Sequence, residues 1–201
     1  MSAKDGFSTR DRTLAVATNL FAERGLHGVS LADVAREIGL TKQAVLHHFA
    51  SKEKLYGEVL TSIAKELETI VSQSQKTECA PEARLAQIFD ALHQPSAHAR
   101  LRTRLLVREL MDVGSRHGTV KTWHLKAFLD QLVGIGRSVD AWSGKPDAEI
   151  FAALYQLIGA VSYFAISETT LKGMYGAAET RAIERAFNRE LHLLIQTQTS
   201  A

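Results

Sequence analysis

The chain has 201 residues, 45% of them hydrophobic, enough apolar material for a soluble globular core in one domain or two small ones. A lone cysteine, Cys79, excludes an internal disulfide and fits a reducing cytoplasm, where the protein is expected to reside. The net charge of +2 is unevenly placed: residues 1–56 carry eight Lys/Arg against six Asp/Glu, whereas residues 57–201 balance.

In chain order, the first residues, MSAKDGFSTRDR, are polar and lack the apolar stretch of a signal peptide, so a loose N-terminal arm is expected. Leu14, Ala17 and Phe21 recur at helical spacing and stop at Gly25, a residue suited to a helix C-terminus. Ser30 and Asp33 have capping-box spacing ahead of the stripe Leu31, Val34, Ala35 and Ile38, which Gly39 ends. Thr41 then caps a short helix in which Ala44, Val45, Leu46 and Phe49 alternate with Lys42, Gln43, His47 and His48. With Lys52, Lys54 and one acid, Glu53, these polar residues form a small basic patch. Ser51 caps a helix carrying Leu55, Val59, Ile63, Leu67 and Ile70, roughly 24 residues or about 36 Å long. Pro81 suits the first turn of a new helix and breaks this one. Further helices read as 82–93, 96–113, 119–142, 147–171 and 177–197, with breaks at Pro95, GSRHG, SGKP and KGMYG. The fold class is therefore all-α.

Two short helices joined at a glycine, the second with polar side chains outward, have the arrangement of a helix-turn-helix, whose second helix enters a DNA major groove. Val34, Ala35, Ile38, Leu40, Val45 and Phe49 would hold the pair to the first helix. The alternative is a surface helix hairpin with solvated charges. Residues 9–60 hold a phenylalanine before the first glycine, Ser-x-x-x-Val-Ala, Gly-Leu-Thr-Lys and Phe-x-Ser-Lys-Glu-x-Leu. This stretch resembles the N-terminal domain of the TetR family of bacterial transcriptional regulators.

The resemblance implies a three-helix helix-turn-helix DNA-binding domain over 1–51, joined by a long helix to a helical ligand-binding and dimerisation domain over 52–201. It implies three partners: double-stranded DNA with a palindromic operator, a second copy in a homodimer, and a small-molecule effector of unknown identity. It implies no cofactor. Carried over by position, Ser30 and Thr41 become phosphate-contacting caps, Lys42, Gln43, His47 and His48 face the groove, and Lys52 grips the backbone. Gln43 is the best base reader, because its amide can pair bidentately with adenine. The sequence departs from the family pattern at Leu46, where a tyrosine is usual, and at Gln43, where glycine is common; His47 would supply the missing phosphate contact. A histidine on phosphate should bind more tightly once protonated, and unperturbed imidazoles take up their proton around pH 6.5. His47 and His48 do not read as a metal site, since adjacent helical residues point about 100° apart and no third ligand follows at i+3 or i+4.

In the second domain, Ile150 to Ser167 is apolar on nearly every face, and such a helix needs cover on both sides. A membrane span is the competing reading, but the run is shorter than the roughly 20 apolar residues a span needs and lacks basic flanks, so no membrane partner is expected. Gly159, Ala160 and Tyr163, with Ile183, Phe187, Leu191 and Leu194 of the last helix, would form a four-helix interface between two copies; the alternative is a monomer whose last helix completes the core. Phe89, Trp123, Phe128, Phe151, Tyr155 and Phe164 offer aromatic walls for a cavity, with His93 and Gln156 as polar contacts. Arg108 shares a row with Leu101 and Leu105, an expensive place for an unpaired charge, and is either paired with Asp112 one turn on or an anion contact in that cavity.

An enzyme is not expected, as no nucleophile elbow, HExxH, Walker loop or dinucleotide turn occurs. The whole reads as a repressor released from its operator by an apolar effector. The rival reading keeps the fold and makes the second domain a protein-docking surface or a ligand-independent dimeriser.

Overall fold

The computed structural model describes residues 8–94, 96–113 and 124–200. Its elements are α1 (Thr9–Arg24), α2 (Leu31–Glu37), α3 (Lys42–Phe49), α4 (Lys52–Ser74), α5 (Pro81–Leu92), α6 (Ala97–Val113), α7 (Lys126–Gly136), a short 3-10 turn (Asp140–Trp142) and α8 (Asp147–Thr199). There is no strand among the described residues.

The chain forms two compact units, residues 1–63 with 104–121, and residues 64–103 with 122–201. Helices α4 and α6 each supply residues to both. A boundary at residue 51 falls where α4 begins, yet the first unit runs on to Ile63, because Leu55, Tyr56 and Val59 are buried and the Tyr56 ring meets Phe21 edge-on at 5.0 Å.

Within the first unit, local caps decide where helices start. Ser8 and Ser30 each accept the backbone N–H three residues on and receive a carboxylate back onto their own backbone, with Asp11 and Asp33 closing the boxes. Gly25 ends α1 at φ +71°, a conformation an L side chain resists. Ala17, Phe21, Val34, Ala35, Val45 and Phe49 are buried at 2% exposure or less and join the first three helices. Leu40 is a correction to the expected core, since at 37% exposed it lies out on the turn after Gly39.

The second unit is built around α8. Its backbone breaks at Gly176, φ 81° and ψ 165°, within the expected KGMYG interruption, so the helix runs as two arms. The expected helix 119–142 is shorter than anticipated: residues 119–123 lie outside the described set, α7 begins at Lys126, and it stops at Gly136. A Cβ on Gly136 would stand 2.5 Å from Ile150 Cγ2 and 3.1 Å from the Trp142 ring, so the glycine lets α7 pack tightly on the start of α8. Trp142 is buried there and donates its indole N–H to the Gln198 carbonyl at 2.7 Å, fastening the C-terminal end. Pro95 also lies outside the described residues.

Candidate functional site

Helix α3 is eight residues long, and Thr41 caps it by accepting the Ala44 N–H at 3.2 Å. Val45 and Phe49 are fully buried and fix its inner face. At about 100° per residue, Gln43 and His47 then fall roughly 40° apart at the centre of the opposite face, bordered by Ala44 and Leu46, with Lys42 and His48 farther round the helix. Lys42, Gln43, His47 and His48 are exposed, and the two imidazoles meet edge-on at 5.6 Å. Leu46 is half-buried. An eight-residue helix anchored by two apolar side chains and offering an amide, two imidazoles and an ammonium outward is a reading head of the size a major groove admits.

The flanks carry the remaining expected residues. Ser30 is exposed at the start of α2, where its hydroxyl accepts the Asp33 N–H and donates to the Asp33 carboxylate at 2.7 Å. These bonds and Arg36 hold the Asp33 carboxyl down at about 2. Ser51 accepts the Lys54 N–H at 3.1 Å and starts α4, on whose first residue Lys52 is half-exposed. Helix N-terminal N–H groups and nearby hydroxyls suit phosphate oxygens.

Two features of this unit escape inspection of the motif. Arg10, in the first turn of α1, lies over the Phe49 ring at 5.4 Å and pairs with Glu58 of α4, tying the end of α3 to both neighbours. Arg108 is the second. Its guanidinium donates to the Glu23 carbonyl at 3.1 Å, at the C-terminus of α1, and packs against Gly25. Helix-end carbonyls are free acceptors at the negative pole of the dipole, and one of them meets the charge that hydropathy flagged. Next to it, Tyr56 of α4 donates its hydroxyl to Glu109 at 2.7 Å.

The second unit holds a cavity between the end of α5, the start of α6 and both arms of α8, lined by Leu92, His93, Gln94, Arg100, Thr103, Phe164, Glu168 and Glu184. His93, expected as a polar ligand contact, is part of this lining. Phe89 and Phe128 are buried core at 0% and 4% exposure, outside this lining. Tyr155 and Gln156 are corrections, because they lie on the exposed side of α8, where Tyr155 stacks on Phe151 at 5.3 Å. Trp123 lies outside the described residues. Arg100, Thr103, Glu168 and Glu184 were not anticipated; their sequence signal is only that of ordinary polar positions on amphipathic helices.

Of the expected dimer face, Gly159 and Tyr163 are exposed, Tyr163 at 73%, and Leu194 is 39% exposed. Ala160 and Ile183 are half-buried. Phe187 and Leu191 are corrections: Phe187 stacks on Phe164 at 4.4 Å, and Leu191 is 4% exposed, so both serve their own unit. Phe151, Tyr155, Gly159 and Tyr163, four residues apart, instead form one continuous exposed stripe. Helix α8 is long and apolar enough by length and composition to cross a membrane, and only 28% of its most apolar window is buried.

The sequence pattern of the bacterial regulatory proteins of the tetR family matches residues 14–59. The HTH-type transcriptional repressor KstR2 of Mycolicibacterium smegmatis is 33% identical over 91 residues, 45% of this chain and 44% of that protein. TtgW of Pseudomonas putida, an HTH-type transcriptional regulator itself uncharacterised, is 30% identical over 96 residues, 48% of this chain and 72% of TtgW. The chain thus matches about half the length of the KstR2 repressors. Among solved structures, the ketosteroid transcriptional regulator KstR2 of Mycobacterium tuberculosis has a similar fold, with a TM-score of 0.68 at 19% identity over 100% of both chains.

Proposed function

The chain belongs to the tetR family of bacterial regulatory proteins, and from that premise we propose that it is a DNA-binding transcriptional repressor, acting in the cytoplasm as a homodimer on a palindromic operator. It is not an enzyme in this reading. The observation that carries it is α3, whose Val45 and Phe49 are buried while Gln43 and His47 occupy the centre of its outward face. Ser30, Thr41, Lys42, His48 and Lys52 position the duplex through its phosphates, and Gln43 reads a base edge. The uncovered stripe from Phe151 to Tyr163 supplies the two-fold contact, matching two recognition helices to half-sites about 34 Å apart.

An apolar effector in the second unit releases the repressor by preferring a conformation that DNA does not. A preference of about a hundredfold amounts to under 3 kcal/mol. Helices α4 and α6 are the couplers, because each contributes to both units, and the first-unit end of α6 holds α1 through Arg108 and α4 through Glu109.

Selection of random double-stranded oligonucleotides by the purified protein at moderate ionic strength tests this reading. Enrichment of an inverted repeat is expected. Recovery of no such repeat would remove DNA reading from the account.

A further inference from the structure

One end of the recognition helix is held from outside the helix-turn-helix, by a contact that bears on how the base-reading face is aimed; this inference rests on the DNA-reading proposal for α3. Helix α3 closes at Ala50 with φ 43°, in the region an L side chain resists and where glycine is the usual residue. With eight residues the helix is also too short to be stable alone. The direction of its C-terminal half therefore depends on contacts from other elements.

Arg10 supplies them. It is the second residue of α1, ahead of residues 14–59 that the family pattern covers. Its guanidinium stands 5.4 Å from the centre of the Phe49 ring, within the roughly 6 Å over which a cation is drawn to an aromatic face. The same guanidinium is paired with Glu58, so it is anchored on α4 while it covers the end of α3. Phe49 in turn meets the His48 ring edge-on at 6.2 Å, and His48 meets His47 at 5.6 Å. A line of side chains thus runs from Glu58 through Arg10 and Phe49 to the two exposed imidazoles.

These contacts separate three roles for Arg10. The pair with Glu58 is 48% and 36% exposed, and an ion pair so open to water stabilises a fold little. A phosphate contact is poorly served too, because the cation is already answered and the Glu58 carboxylate would face an approaching phosphate. Orientation is left: a guanidinium is planar and rigid, and it holds two partners in one geometry. Base contacts need such alignment, whereas phosphate contacts tolerate more play.

We propose that Arg10 is a positioning residue for DNA recognition: anchored on Glu58, it holds Phe49 and fixes the C-terminal half of α3 in the alignment that base reading needs.

The full-chain variants Arg10→Gln and Glu58→Gln test it, because they change the net charge in opposite directions and on charge alone would move DNA affinity in opposite directions. Each should instead lower the ratio of affinity for the selected operator to affinity for a scrambled duplex by at least about fivefold. The salt slope of operator binding by Arg10→Gln should match the wild type. A ratio unchanged in either variant overturns the proposal, even if the melting temperature falls, and so does a slope reduced by about 1, the mark of a lost phosphate contact. Hydrogen exchange without DNA gives an independent reading: amides of residues 46–50 should exchange at least about tenfold faster in Arg10→Gln while those of α1 keep their rates. Equal rates at residues 46–50 overturn the proposal whether or not an operator has been recovered. Failure of the wild-type protein to select any inverted repeat removes the DNA reading itself, a result distinct from an operator that is found and bound equally by the variants.

Discussion

At the scale of single residues, Gln43 is the proposed base reader. Its amide stands at the centre of the exposed face of α3, and a bidentate base contact is worth about 1–3 kcal/mol of discrimination. Gln43→Ala should therefore relax preference at one position of each half-site, read by competition binding with operator variants, while the melting temperature stays put. Ala50 just beyond the helix has φ 43° and ψ −41°, with its neighbours bonded Ser51 N–H to Phe49 carbonyl, a γ-turn of the uncommon, strained hand. Ala50→Gly should raise stability by about 1 kcal/mol, seen as a higher urea midpoint at unchanged slope. His93 sets a pH dependence. Burial lowers its pKa in the folded state, so the unfolded chain binds the extra proton and stability must fall as pH drops through about 6.5. The expected result is a smaller loss between pH 7.5 and 5.5 for His93→Phe than for the wild type; identical losses would deny the ring this role.

Among the elements, α2 is the most dependent on its ends. Seven residues make fewer than two full turns, too few to be stable alone, and the Ser30–Asp33 box supplies partners to otherwise free N–H groups at its start. Ser30→Ala should cost about 1 kcal/mol in chemical denaturation. The same box has an acid limit: with the Asp33 carboxyl held at about 2, below its usual 3.8, its contribution is complete above pH 4 and disappears as pH falls through 2. Helix α6 has a different kind of end. Arg102, 3% exposed, is engaged with Glu66 of α4 and the Leu92 carbonyl in the second unit, whereas Arg108 two turns later engages α1 in the first. One amphipathic helix thus carries two buried or end-capping arginines, each answered by a specific acceptor.

For the whole molecule, the exposed side of α8 calls for cover. Contiguous apolar side chains left to solvent, here Phe151, Tyr155 and Tyr163 along one helix, mark a surface that meets a partner. Light scattering at micromolar concentration should report twice the 22.1 kDa of one chain. Tyr163→Glu, which places a charge on the most exposed ring of the stripe, should shift the species toward 22.1 kDa and weaken operator binding while helical content is kept. A variant that remains dimeric would move the interface elsewhere.

Periodicity, capping residues and glycine positions are local properties, so the order of the helices among the described residues, the break within KGMYG, the caps at Ser30, Thr41 and Ser51 and the outward set on α3 were legible from the chain alone. Hydropathy also marked Arg108 as needing a partner. Which partner it found was decided by tertiary structure, because a helix-end carbonyl such as that of Glu23 carries no side-chain signature. The same limit governs α8. The run from Ile150 to Ser167, apolar on nearly every side, has no preferred face in its sequence, so only packing could turn Leu154 and Phe164 inward and leave Tyr155 and Tyr163 outside. The cavity beside His93 belongs to this second class: it joins His93, Arg100, Phe164 and Glu184 from the end of α5, α6 and α8, and no spacing along the chain encodes that meeting.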